Sequence, residues 1–462
     1  MATRDIILPQ GDAGDSPGGL GSVTEKISKM IFSAAPWWWW VGFTFSFILF
    51  LLFVFTLASV AIRGTGLWGI KTPEVWGMAI VNLIFWIGIG HAGTFISAFL
   101  LLMRQRWRGA FSRFAEGMTL FALAVAGMFP LFHLGRVEFF YWIVPYPNSM
   151  ILNPQFRSAL SWDFFAISTY GLVSLLFWYI DLIPDLGAMR DKAKRPWVKM
   201  VYGTFAMGWR GDSAHWAGLH RVAFFLAALA APLVISVHSI VGMDFAIGNL
   251  PGWHHTIFPP FFVVGAIYSG FAMVVIFAAL LRSGFGLQDI IKDQYMENAA
   301  KFMLVTGMLL TYGYLVEAYG AWYKGDLDEW QLVISRSAGQ YAFPFWLMIL
   351  CNSVIIQLFW FKRLRRNVNV LVIVSLFVLL GMWLERFIIV PISLSYPFPD
   401  TMHSTWSFTA FDWLTVFSPF GLFLTAMFLF IRFVPVVPIA EIQHENAHDH
   451  HEDSHATEGA AS

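Results

Sequence analysis

Ten stretches of about twenty or more predominantly apolar residues constrain this chain more than anything else in it. They lie near 38–62, 77–103, 114–134, 160–183, 220–243, 257–281, 299–322, 340–361, 368–393 and 412–433. The hydrocarbon core of a bilayer is about 30 Å thick, so a helix needs roughly 20 such residues to cross it. In lipid every backbone N–H and C=O must be satisfied within the chain itself. None of these windows alternates with the two-residue period of a strand. The expected fold is therefore all-α, a polytopic membrane protein with ten transmembrane helices. Composition agrees, since only 13% of the residues are Asp, Glu, Lys or Arg and 58% are hydrophobic. A soluble domain carries about a quarter charged residues. The 29 basic and 29 acidic residues cancel, so no global field draws polyanions. A soluble enzyme, a disordered chain and a nucleic-acid binder are excluded on these grounds.

Residues 1–35 are polar and Gly-rich without an apolar signal core, so a cleaved signal peptide is not expected. The membrane domain spans 36–435, and Trp37 to Trp40 form a headgroup-level anchor at its entry. The tail 436–462 carries His444, His448, His450, His451 and His455, and reads as a solvated segment or a metal-binding one. Lys and Arg in the loops set the orientation. One set of alternate loops holds Arg104, Arg106, Arg108 and Arg113, the group from Arg190 to Arg210, then Arg282, Lys292, Lys301, and the group from Lys362 to Arg366: seventeen in all. The other set holds Arg63, Lys71, Arg136, Arg157, Lys324 and Arg336, which is six. The positive-inside rule places the richer set, and both termini, in the cytoplasm.

Cys351 is the single cysteine, so the chain forms no internal disulfide and supplies too few thiolates for an iron–sulfur cluster. It has no C-x-x-C-H haem attachment site. If the protein handles electrons, it does so through a bound small molecule or through partners that hold the metal.

Ionisable groups within spans are costly and mark functional sites. The third span ends outward at Phe132-His133-Leu134-Gly135-Arg136, the fourth begins there with Ser161-Trp162-Asp163, and the fifth returns through His238 to Asp244. Topology thus gathers His133, Arg136, Asp163 and Asp244 at the outer face, with His238 about 9 Å deeper at helical rise. Oxidising a quinol releases two electrons and two protons, and His and Asp are the acceptors such a site needs. Arg136 would hold a neighbouring carboxylate ionised. Phe129, Phe132 and Trp162 would wall the ring, and Pro130 would bend the helix one turn before His133. Helix capping alone accounts for Asp163 but not for the histidines. Deeper in the membrane stand His91, among small residues that allow close helix packing, Glu317, and the pair Glu385-Arg386. They read either as packing contacts or as a proton path. The run Gly252-Trp253-His254-His255-Thr256-Ile257-Phe258-Pro259-Pro260 roofs or anchors the sixth span.

Several of these segments resemble the NrfD/polysulfide-reductase type of integral membrane subunit. They are Gly90-His91-Ala92-Gly93-Thr94, the Phe132 to Arg136 run, the Trp162 to Tyr170 run, Val237-His238-Ser239-Ile240-Val241 and the Gly252 to Pro260 run. With Leu384-Glu385-Arg386-Phe387, the likeness is strongest to the larger quinol-binding subunit of bacterial alternative complex III. The resemblance covers about 35–435. It implies two four-helix bundles, about 77–243 and 257–393, with one flanking helix on each side. It implies a menaquinol-type site at His133, Asp163 and Asp244 with Arg136 beside them. It implies no haem or iron–sulfur cluster in this chain. Its expected partners are an iron–sulfur subunit on the outer face, c-type haem subunits, a second homologous membrane subunit and lipid, in a bacterial cytoplasmic membrane. Proton translocation involving His91, Glu317, Glu385 and Arg386 is a further expectation. The alternatives are a polysulfide-reductase-like anchor, a secondary transporter, whose site would sit at mid-membrane helix breaks, and a b-type cytochrome. The last needs histidines facing each other in mid-bundle, and His238 is expected nearer one side.

Overall fold

The computed structural model describes residues 20–144, 159–398 and 402–443. Arg157 and the tail histidines lie outside the described residues. Helix α1 (Leu20–Phe32) buries Val23, Ile27 and Ile31, spaced four apart on one face. Helices α2 (Trp37–Arg63), α3 (Met78–Leu102), α4 (Arg108–His133) and α5 (Ala159–Lys192) follow. The short α6 (Pro196–Phe205) leads to α7 (Ser213–Ala246), α8 (Phe258–Phe285) and α9 (Asp293–Lys324). After α10 (Leu327–Ser337), the eighth span combines α11 (Ala342–Ile349), a π turn at Leu350–Val354 and a 3-10 turn at Ile355–Trp360. A single turn, α12 (Lys362–Arg365), joins it to α13 (Val368–Phe387), which continues through a π turn, Ile388–Ile392. Helices α14 (Ala410–Phe417) and α15 (Pro419–Phe433) form the last span. Ten helices among the described residues are long and apolar enough to cross a membrane, and no strand occurs among them. The protein is a multi-pass α-helical membrane protein.

Local chemistry sets the ends. Asp212 caps α7 by accepting from the His215 amide at 2.8 Å, and Asn367 caps α13. Thr409 and Asp412 form a reciprocal capping box on α14. Asp412 also accepts from the Gly69 amide at 3.0 Å, fastening the α2–α3 loop to the last span.

Helices α3 and α8 form the centre, each 83% buried across its apolar window, whereas α2 and the eighth span are 28% buried and face outward. Helix α3 packs on α4, α7, α8 and α13, and α8 packs on α7, α9 and α13 as well. Small residues permit this closeness. A Cβ added at Gly93 would fall 1.9 Å from the Ala115 carbonyl oxygen of α4, and one at Gly270 would fall 1.7 Å from Ala92 Cβ. Dispersion between closely approaching backbones replaces the hydrophobic effect, which is absent between helices in lipid. Of the tryptophan row, Trp37 and Trp40 are exposed, while Trp39 is buried and donates to the Phe428 carbonyl of α15 at 3.1 Å.

Two boundaries differ from expectation for one reason. Helix α4 starts at Arg108 rather than near 114, and α5 runs to Lys192 rather than 183. The expected spans leave out Arg108, Arg113 and Asp185, and the two arginines count there as loop charges. In the structure Arg108, Arg113, Glu116 and Asp185 are buried, and they pair with one another or with Asp181. Arg108 and Arg113 therefore do not act as free loop charges. Setting them aside, together with Arg336, which pairs with Glu317 on the other side, leaves fifteen basic residues against five. The asymmetry survives.

Candidate functional site

The ends of α5 and α7 bring Asp163 and Asp244 together. Their carboxyl groups are close enough to interact electrostatically. The Oδ1 atom of each is buried without a partner. Two buried polar atoms on neighbouring carboxyl groups, with unmet hydrogen bonds, are what a ligand bearing hydroxyl groups would satisfy.

The neighbouring residues are less tightly gathered. His133 closes α4 half-buried, with Nδ1 3.3 Å from the Pro130 carbonyl. Pro130 lies inside α4, as expected. Neither His133 nor Arg136 bonds to Asp163 or Asp244 among the described residues, and Arg136 is exposed in the turn beyond α4. Phe129 is buried against Phe53 of α2, with ring centroids 6.1 Å apart. Phe132 is half-buried and Trp162 is 37% exposed at the start of α5.

His238 does not turn toward the aspartates. It is fully buried and its Nδ1 meets Nδ1 of His91 on α3. Two histidines do face each other in the interior, contrary to the placement expected for His238. Their rings are in direct contact, with centroids 4.2 Å apart and an interplanar angle of 79°, so no flat macrocycle fits between them. Tyr170 of α5 packs edge-on against His91 at 4.4 Å and donates to the Gly90 carbonyl at 3.2 Å.

The histidine pair stands in the middle of a series of buried polar groups. Toward the basic-rich side, the Thr94 amide donates to Thr119 at 2.9 Å, and Ser97 donates to Glu116. Arg108 then pairs with Asp181, and with Glu441 at 2.8 Å, while Arg113 pairs with Asp185 at 3.0 Å. On the other flank is Arg386, near enough to His238 for its charge to act there. Arg386 pairs with Glu385 at 2.6 Å and lies 4.2 Å from the Phe262 ring centroid. Glu385 accepts from Tyr314 of α9, whose hydroxyl accepts from Asn352 at 2.8 Å. Tyr314, Glu385, Glu317 and Arg336 share a cavity of about 50 Å³, room for at least one water. Glu317 pairs with Arg336 at 2.8 Å, and Arg336 also donates to Ser393 at 2.7 Å.

The Gly252 to Pro260 run closes this side. Trp253 is buried and donates to the Ile389 carbonyl at 2.6 Å, so it plugs the helix ends rather than floating at the interface. His255 lies 4.0 Å from Glu329. Burial holds the His255 imidazole below its ordinary value, against the upward pull of Glu317 and Glu329.

Of the residues expected from the sequence, His91, Glu385 and Arg386 are buried, and Asp163, Asp244 and Glu317 are half-buried. Sequence reasoning missed Arg108, counted among the loop cations, Asp185, just past the expected span end, Glu116 and Asp181, which lie inside the expected spans, and Tyr170, Tyr314 and Asn352, which carry no charge to notice. Among the described residues no group of three His, Cys, Asp or Glu is gathered to hold a metal ion.

An all-α bundle with buried ion pairs and a carboxyl pair at one membrane face defines an integral membrane protein built around ionisable groups. Residues 68–396 match the polysulphide reductase NrfD family, and the chain belongs to that family. It is 28% identical over 240 residues to a putative dimethyl sulfoxide reductase membrane subunit of Halobacterium salinarum, covering 48% of this chain and 50% of that protein. It is 21% identical over 389 residues to a selenate reductase subunit of Mesobacillus selenatarsenatis, covering 80% of this chain and 87% of that one. The chain thus spans half the length of the first relative and most of the second.

Proposed function

We propose that this protein is the quinol-oxidising membrane subunit of a respiratory oxidoreductase complex in a bacterial cytoplasmic membrane. The observation that carries this reading is the carboxyl pair, Asp163 with Asp244, each keeping one buried oxygen unpartnered. Those oxygens accept hydrogen bonds from the hydroxyls of a quinol of the menaquinol type. The substrate gives up two electrons and two protons; His133 and the carboxyl pair receive the protons at the outer face. Phe132 and Trp162 flank the ring at the ends of α4 and α5, and Arg136 guards the mouth. The electrons pass to an iron–sulfur subunit on the outer surface and onward to c-type haem subunits, as in alternative complex III, beside a second homologous membrane subunit.

A second reading differs in what takes the electrons. The names of the two relatives favour a reductase catalytic subunit as the acceptor. Mass spectrometry of the intact, mildly solubilised complex separates the two: multihaem cytochromes support the first, a reductase catalytic chain the second. Asp163→Asn tests the site itself. It keeps the volume but removes the carboxylate, so quinol oxidation is lost while assembly persists; turnover at the wild-type rate refutes the assignment.

The series of buried polar groups also supports proton coupling. In this reading His91 and His238 link a basic-side branch, through Tyr170 and Glu116, to an outer-side branch through Arg386, Glu385, Tyr314 and Glu317. His238 then belongs to the proton path rather than to the quinol pocket.

A further inference from the structure

A wide cavity lies on the basic-rich side, away from the carboxyl pair, the histidine pair and the polar series. It encloses about 1200 Å³ between α1, the far end of α5, α6 and the end of α15. That exceeds the roughly 300–1,000 Å³ typical of a drug-sized ligand. Its walls are apolar, with Trp178, Leu182, Val198 and Phe433 among them. Lys29, Lys192, Lys194 and Arg195 stand at its rim, with Glu25 as the acid among the lining residues. None of the four cations forms an ion pair with an acid of the described residues. The walls are tied in place. Tyr179 donates to the Phe205 carbonyl at 2.7 Å, Tyr202 to the Phe433 carbonyl at 2.9 Å, and Arg432 to the Met30 carbonyl at 2.9 Å.

Helix α6 shows what medium surrounds the cavity. Trp197, Met200, Val201 and Phe205 are all exposed on it, in a ten-residue helix too short to span a bilayer. Such a helix rests in the headgroup zone with its apolar side chains in the acyl layer. The cavity beneath it therefore meets lipid tails on one side and headgroups at its rim. Apolar walls of this size below four cations that pair with no acid among the described residues match two acyl chains below a phosphate. We propose that the cavity is a specific site for an anionic phospholipid, whose phosphate is held by Lys29, Lys192, Lys194 and Arg195 and whose chains lie along α5 and α6. A helix from another membrane subunit would find the apolar wall but leave these cations unmatched. The site is independent of the quinol assignment.

The test uses the protein purified with its partners in mild detergent, delipidated and titrated with phosphatidylglycerol, with bound lipid counted by native mass spectrometry. The expected result is one tightly held phosphatidylglycerol per chain and much weaker binding of phosphatidylethanolamine. Removing three rim charges in K192S/K194S/R195S weakens binding on the order of a hundredfold, given what each Lys or Arg contributes at an anionic membrane surface. Val198→Trp, which fills the acyl wall and leaves the cations, weakens it as well. The control K362S/R363S, exposed cations elsewhere on the same side, leaves binding unchanged. Equal binding by wild type and the triple variant, equal retention of the neutral lipid, or complete displacement by inorganic phosphate overturns the proposal. So does an intact complex in which a partner helix crosslinks at Trp197→Cys and no lipid is retained.

Discussion

The clearest energetic test of this architecture is the Arg113–Asp185 pair between α4 and α5. The side chains are 1% and 3% exposed and 3.0 Å apart. Arg113 also donates to the Asp181 carbonyl at 2.5 Å, and Asp185 accepts from the Ile439 amide at 3.2 Å. Arg113→Met preserves much of the volume but leaves Asp185 facing a dry interior with one amide donor. Breaking a buried pair from one side costs about 3–5 kcal/mol, because the survivor stays charged or must take up a proton. Asp185→Leu strands Arg113 in the same way. Replacing both removes both desolvation penalties, so R113M/D185L falls back to near wild type or above it. The assay is a double-mutant cycle on unfolding in denaturing mixed micelles. Cys351, fully buried and the only thiol, reports unfolding by its reaction with a fluorogenic maleimide. If Arg113→Met costs under about 0.5 kcal/mol, as a surface ion pair would, then Arg113 is a loop charge and the extended α4 is wrong.

Other outcomes follow from particular contacts. Gly93→Val places a side chain 1.9 Å from a backbone oxygen that cannot rotate away, so the α3–α4 seam opens. The cost is about 1–3 kcal/mol or more, seen as a lower midpoint in the same thiol assay. Glu385→Gln keeps the hydrogen bond to Tyr314 but ends ionisation beside Arg386, so quinol oxidation by proteoliposomes continues while proton release is reduced; an unchanged proton-to-electron ratio refutes a role in coupling. His255 titrates lower folded than unfolded. The unfolded chain therefore binds more protons, and stability falls as the pH drops below about 6.5 until the folded imidazole itself protonates. His255→Gln flattens that slope, and midpoints recorded across this pH range show whether it does.

The parts of the fold that were legible are those that lipid dictates. A bilayer demands about twenty apolar residues per crossing, so all ten spans stand out, and Asp163 and Asp244 meet because topology alone brings their helix ends to one face. What escaped depends on rotation about helix axes and on neutralisation. His91 and His238 are 147 residues apart, and nothing in either helix reveals that their rings point at each other. Arg108 was hidden by its own charge, which marks a loop until a partner on another helix, here Asp181 of α5, cancels it. Tyr314 and Asn352 were invisible in a chain so rich in aromatics and so varied in polar singles.

Burial and hydrophobicity part company in α8. It is more apolar than α9, yet 83% of its window is enclosed against 44% for α9. Helices enter the bilayer before they associate, and at that stage each is judged alone against lipid. Helix α8 meets that demand easily and then leaves the lipid behind. Helix α9, with Glu297, Lys301 and Glu317 along its length, meets it narrowly. Its entry into the membrane depends more on neighbours already present, and α8 is synthesised just before it.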